Sequence, residues 1–295
     1  MKKTLLFAAS LALLASCGQK KCNCDCTCTD CSCNGEKAAP AVAAVDYEIV
    51  ENEQYDLASL KQDAEGYYIL FDGSSLDGWR GYGQDAVPAS WENADGTIHL
   101  KGSGTGEAQA EGGGDLMFAH KFTNFTLELE YKISKGGNSG IFYLAQEVKG
   151  ADGEYLPIWQ SASEYQVLDN ENHIDAQLGV DGNRQAASLY DMIPANPQNA
   201  KPFGEWNSAK IVVFKGTVIH YQNGEKVLEY HLWTPKWKEM LDNSKFCEGG
   251  EFPAAYSLMI RKVRKAVTSH FRIMAMMFGI ATCVSRFRTN IHLLS

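Results

Sequence analysis

Glu164, Gln166 and Asp169 lie in the run Glu164-Tyr165-Gln166-Val167-Leu168-Asp169, and Asn138 lies in Gly136-Gly137-Asn138-Ser139-Gly140-Ile141-Phe142-Tyr143. Paired carboxylates suit proton transfer, because one can protonate a leaving oxygen while the other takes a proton or attacks. Both stretches read as extended segments. Side chains alternate along a strand, so Glu164 and Gln166 share one face while Tyr165 and Val167 take the other. A carboxylate and an amide would then line a sheet surface, an odd place for a charge unless that surface is a binding cleft. Bringing Asp169 onto the face of Glu164 requires a bulge.

The elements that must position these residues are strands. Residues 46–259 form one domain's worth of sequence, with 45% hydrophobic residues in the chain and Gly (27) far exceeding Pro (8). Short aromatic or β-branched runs alternate with Gly, Asn and Asp: Thr97–Leu100, Phe125–Ile133, Lys210–Phe214, and Val218–Tyr221 leading through Asn223-Gly224 into Lys226–Tyr230. The Phe125–Ile133 run alternates apolar and polar without a break, as a strand with one wet face should. Helical periodicity is scarce, and Trp233 to Leu241 is the best short helix. The expectation is an all-β, antiparallel β-sandwich of jelly-roll form with few short helices.

The N-terminus bears on location. Lys2 and Lys3 precede an apolar run, Leu5 to Leu14, too short to span a bilayer as a mature helix and ending in small residues, as in a signal peptide. Leu14-Ala15-Ser16-Cys17 resembles a lipoprotein lipobox, with Cys17 as the lipidated residue. Residues 18–45 hold six cysteines from Cys22 to Cys33 and then an Ala/Pro-rich stretch. This segment lacks the apolar residues to order itself, so a flexible tether is favoured over a dedicated metal site. The expectation is export and lipid anchoring to a bacterial membrane, on the periplasmic or cell-surface side.

Phe71-Asp72-Gly73-Ser74-Ser75-Leu76-Asp77-Gly78-Trp79 resembles the opening signature of the 3-keto-disaccharide hydrolase family. Gly114-Asp115-Leu116, the Gly-Asn-Ser-Gly-Ile-Phe-Tyr stretch, Glu164–Asp169, Tyr190, Gly204-Glu205-Trp206-Asn207, and His220 before Asn223-Gly224 follow in order. The resemblance covers about residues 67–259. It implies a concanavalin-like jelly roll acting on oxidised di- or oligosaccharides or glycosides. The pattern Glu164-x-Gln166-x-x-Asp169 also resembles the Glu-x-Asp-x-x-Glu strand of laminarinase-type glucanases, with an amide in the middle.

A ketone at carbon three of a sugar acidifies the hydrogen on carbon two and permits the carbon-one substituent to leave by elimination, with water added afterwards. On this expectation Glu164 or Asp169 is the base and the other assists the leaving group, while Asn138, Gln166 or His220 hydrogen-bonds the ketone as it gains charge. Tyr190 is a further substrate-binding candidate. Each has a bland rival: Glu164 as a buried acid paired with Arg184 or Lys132, Asn138 as a turn former, His220 as a satisfied strand residue, and Tyr190, Trp79 and Trp206 as core. Trp91, Trp159 and Trp233 carry no functional weight. The alternative function is a non-catalytic carbohydrate-binding surface lipoprotein, for which the acids would be tied up in salt bridges.

No Gly-x-Gly-x-x-Gly motif or Walker loop suggests a nucleotide, and excess acid argues against nucleic acid. No cofactor is expected. A structural calcium using Asp115 or Asp169 is compatible with the fold, although no loop has the ligand spacing to name a metal site.

Residues 260–295 differ from the rest: they hold seven Lys/Arg and no Asp/Glu, so a formal −16 is joined to a +7 tail. Permitted codons for Ser269 through Thr282, read in the neighbouring frame, give Ile-Ala-Phe-Gln-Asp-His-Gly-Asp-Asp-Val-Trp-Tyr-Arg-Asn, which resembles the family's closing motif. The tail therefore reads as out of frame. The expectation is that the C-terminal strands are missing and that this copy is inactive.

Overall fold

The computed structural model describes residues 46–101 and 114–264, and beyond them the backbone of four short strands. Contacts divide the chain into Met1–Val42 and Ala43–Ser295. The segments read above as a signal peptide, lipidated Cys17 and a cysteine-rich tether lie outside the described residues.

The larger unit is a jelly-roll β-sandwich whose strands all pair antiparallel. One sheet runs in the order Glu225–His231, Thr217–Gln222, Asn207–Phe214, Phe125–Ile133, Cys283–Ser285, Thr97–Leu100, Trp91–Ala94, with Thr289–Leu293 bridging Phe125–Ile133 to Tyr68–Phe71. The opposing layer contains Ser163–Leu168, Asn138–Ala145, Ile273–Ala275 and Lys121–Phe122, with Leu116–Phe118 beside Met277–Phe278 and Trp79–Gly81. Alternation decides which side chains meet. Leu127, Tyr131, Ile211 and Val218 from the first sheet and Ile141, Tyr143, Tyr165 and Val167 from the second are all buried in one core.

Gln222 pairs two hydroxyls inside that core, whereas the Trp237 indole N–H, also in the core, has no hydrogen-bond partner among the described residues. The hydroxyls of Tyr131 and Tyr165 donate to Gln222 Oε1 at 3.0 and 3.1 Å. Each such bond contributes about 1 kcal/mol net, but an unmade one would cost more. The Asn223-Gly224 pair forms the expected tight hairpin, with φ of 51° and 84°, values a left-handed turn demands. The short helix is Pro235–Asp242, starting two residues and ending one residue later than the sequence pattern suggests. Thr234 caps it by accepting from Trp237 N at 3.1 Å, Pro235 occupies its first turn, and Trp233 at φ 64° lies outside. A second helix, Pro253–Arg264, follows.

The expectation that the C-terminal strands are missing is corrected. The structure draws strands over Ile273–Ala275, Met277–Phe278, Cys283–Ser285 and Thr289–Leu293, paired into both layers. The reason is that a ladder is made by backbone amides and carbonyls, which every residue except proline carries in full. The tail has no proline, so the loss of a motif's side chains does not by itself empty a strand position.

Candidate active site

The Ser163–Leu168 strand pairs with Asn138–Ala145 in a register that sets Glu164 opposite Phe142, Gln166 opposite Gly140, and Leu168 opposite Asn138. Glu164, Gln166, Phe142 and Asn138 therefore share the face turned away from the core, where they form the floor of a cleft of about 440 Å³. Tyr82, Tyr155 and Trp159 make its aromatic side, and Asp115, Asp175, Tyr190 and Lys245 its charged side. The volume and the mix of aromatic and convergent polar groups suit a small sugar.

Glu164 is half-buried, and no described residue hydrogen-bonds its carboxyl. Burial pushes it up to about 8, an effect that Lys245 opposes and that Asp175 and Asp115 reinforce. Burial likewise raises Asp115 to about 7. Two carboxyl groups that hold protons near neutrality thus face one cleft, which is how acid and base chemistry is poised. Glu164 reaches its position only because residue 140 has no side chain: a Cβ there would lie 2.1 Å from Glu164 Oε1. The displaced atom would be the end of a flexible side chain, so Gly140→Ala is expected to keep its melting temperature yet lose about 10- to 100-fold in turnover by re-aiming the carboxylate. Unchanged kinetics would show that this clearance is irrelevant.

The other expected site residues divide. Gln166 is buried, its Oε1 accepting from Val167 N at 3.1 Å and its Nε2 lying 3.4 Å from Asn138 Oδ1, so the two amides form one patch of the floor. Tyr190 lies on the cleft wall, but its hydroxyl donates to Asp175 Oδ2 at 2.9 Å and Lys245 Nζ sits 4.3 Å from its ring centre. It anchors the wall and leaves that ring face to a cation, not to a pyranose.

Asp169 is not brought to Glu164. The strand ends at Leu168 without a bulge, and the Asp169 carboxylate accepts from Gly136 N at 2.7 Å, Asn172 Nδ2 at 2.8 Å and Glu171 N at 3.2 Å. It ties two loops together, the work for which an Asx side chain at a strand end is suited. His220 is also corrected. It is fully buried in the core, where Nδ1–H donates to Ala187 O at 2.9 Å and Nε2 accepts from Tyr143 Oη at 2.7 Å; burial pushes it down to about 4. A neutral, doubly bonded imidazole facing Tyr165 at 4.8 Å has no path to the cleft.

Arg184, the proposed partner of Glu164, instead binds Asp191 at 2.5 Å and Asp175 at 3.1 Å. Sequence reasoning missed Lys245 and dismissed Trp159, both of which line the cleft. Lys245 follows the Pro235–Asp242 helix in a non-periodic loop, pinned by its N–H donating to Asp191 Oδ2 at 2.7 Å. Among the described residues, no group of three His, Cys, Asp or Glu side chains is placed to hold a metal ion.

Comparison with known proteins agrees with this architecture. A protein named 3-keto-disaccharide hydrolase from Bacteroides thetaiotaomicron is 55% identical over 267 residues, covering 88% of this chain and 89% of its own. A Parabacteroides distasonis protein, whose crystal structure is described as that of a candidate glycosyl hydrolase, is 26% identical with a TM-score of 0.61, covering 79% of this chain and 95% of the other. The model of the 3-keto-alpha-glucoside-1,2-lyase-like domain matches residues 66–256. The chain belongs to the 3-keto-alpha-glucoside-1,2-lyase-like family.

Proposed function

We propose that the protein cleaves 3-keto-disaccharides or related 3-keto-glycosides by elimination followed by hydration. The observation that carries this reading is the unpaired, desolvated carboxyl of Glu164 at the floor of a sugar-sized cleft. A carbohydrate-binding module would tie such an acid into an ion pair, and Glu164 has none among the described residues.

In this scheme Glu164 removes the hydrogen on carbon two, and the C–H electron pair passes into an enolate whose charge rests on the carbon-three oxygen. Collapse of the enolate breaks the bond from carbon one to the leaving oxygen, which takes its proton from Asp115. Water then adds to carbon one and a proton returns to carbon two. The division of labour follows basicity: Glu164, pushed to about 8, is the stronger base once ionised, and Asp115, at about 7, is the better donor. Asn138 and Gln166 hold ring hydroxyls, and the Tyr82, Tyr155 and Trp159 side takes the apolar face of a sugar.

Incubation with 3-keto-trehalose in D2O is expected to release 3-keto-glucose carrying deuterium at carbon two. Release without deuterium would point to direct displacement instead.

The tail is part of the same reading. We infer that residues 260–295 are out of frame; the family match ending at residue 256, just before Met259, supports this. Restoring the frame is expected to raise turnover and to stabilise the fold by about 2 kcal/mol, hence the melting temperature by roughly 4–8 °C. Equal melting and equal rates for the two forms would remove the frame argument.

A further inference from the structure

An ammonium group faces the cleft without an anion to neutralise it. Lys245 Nζ lies 4.3 Å from the ring centre of Tyr190, 5.2 Å from that of Phe246 and 5.7 Å from that of Trp159. Those three aromatic rings lie around the ammonium itself. Among the described residues Nζ donates no hydrogen bond, and no carboxylate lies within ion-pair distance of it. The nearby acids are otherwise engaged: Asp175 and Asp191 hold Arg184, Asp175 also accepts from Tyr190, and Asp191 takes the Lys245 backbone N–H. Burial holds the ammonium below its ordinary value, opposed by Glu164, Asp191 and Asp175 and aided by Arg184.

A buried cation left unpaired is costly, and a site keeps one when the missing partner comes with the ligand. The partner must be an acceptor, because an ammonium only donates. A ketone oxygen only accepts. A hydroxyl at the same position would accept too, but its own hydrogen would need a further acceptor, which a ketone oxygen does not. The hydrogen bond also strengthens as the oxygen acquires negative charge, so the same contact discriminates in binding and stabilises the enolate.

Resting on the function proposed above, we propose that Lys245 is the ketone-reading group of the site: it selects oxidised over unoxidised sugars and carries the charge that develops on the carbon-three oxygen. It is thus a catalytic residue, and the Asn138 and Gln166 amides serve the hydroxyls.

Calorimetry on the full chain tests this with methyl 3-keto-glucoside and methyl glucoside; every protein compared, including the one wild type at residue 245, also carries Glu164→Gln, so that the keto sugar is bound without being cleaved. The protein with Lys245 is expected to prefer the keto sugar. Lys245→Met is expected to reduce that preference by about tenfold or more, the value of one hydrogen bond to a charged group, with little change in the affinity for methyl glucoside. Lys245→Arg, which keeps the donor and the charge, is expected to restore part of it. Lys245→Gln repeats the measurement if the methionine variant fails to fold. A keto preference surviving in both Lys245→Met and Lys245→Gln overturns the role of Lys245 and leaves the proposed function standing; a protein with Lys245 but without any preference overturns both.

Discussion

Glu164→Gln is expected to reduce release of 3-keto-glucose by about a thousandfold or more, since a general base is removed from the step that generates the enolate. The amide is close to isosteric, so the fold, the cleft and the affinity for substrate should persist. The wild-type rate should rise with pH as Glu164 ionises and turn over between about 7 and 8, where Asp115 loses the proton it must donate. The rising limb should vanish in the variant. Stability should move the other way. The folded value near 8 exceeds the ordinary 4.5, so this carboxyl favours folding below pH 4.5 and progressively loses that contribution as pH rises from 4.5 to 8. Glutamine does not ionise, so the variant should be the more stable protein at pH 8, by up to a few kcal/mol. A variant that turns over normally, or that retains the rise with pH, removes Glu164 from the mechanism.

Arg80→Leu is expected to be the most destabilising of these substitutions, by about 3–5 kcal/mol in denaturant titrations. Arg80 and Glu147 form a buried two-point ion pair at 2.6 and 2.7 Å, and Glu147 also accepts from Gly83 N at 2.8 Å and from Asn52 Nδ2. Leucine in place of Arg80 leaves that carboxylate buried with only the two neutral donors. Replacing both members of the pair, Arg80→Leu with Glu147→Leu, should recover much of the loss. Burial alone would raise the Glu147 pKa, but the Arg80 bonds, the Gly83 N–H and the Arg80 charge hold it below its ordinary 4.5. The pair therefore stabilises the wild type above pH 4.5, and this contribution fades as pH falls through the lower folded value. In Arg80→Leu the trend should invert, the variant tolerating acid better than neutrality. Because Tyr82 and Gln84 line the cleft beside this pair, activity should fall along with stability.

The sheet architecture was legible because alternation is a local property. Phe125–Ile133 alternates in sequence and buries its odd-numbered residues in space, and Asn223-Gly224 marks its turn without reference to anything distant. The shared face of Glu164 and Gln166 was legible for the same reason. Asp169 and His220 were misread because residue type does not reveal partners: an Asp after a strand can cap loops or do chemistry, and a His on a strand can point inward or outward. His220 lies on the inward phase of Thr217–Gln222, where Val218 and Gln222 are also buried, and that parity was the available signal. Lys245 and Trp159 left no such trace. Lys245 sits in an irregular segment remote in sequence from Glu164, so only the folded chain brings it there, while Trp159, in the single turn Ile158–Gln160 shortly before Glu164, lies outside the strand whose alternation would show which way it faces. For the tail only the expectation of missing strands failed, because it equated the absence of a motif with the absence of strands.

Cys283–Ser285 lies between Phe125–Ile133 and Thr97–Leu100, and Thr289–Leu293 between Phe125–Ile133 and Tyr68–Phe71. Strands late in the sequence thus occupy interior positions in a sheet whose neighbours come much earlier. Pairings this distant along the chain form slowly, and those earlier strands must wait with open edges. Closure of the sheet is therefore expected to come late in folding, and until then the open neighbours are prone to self-association.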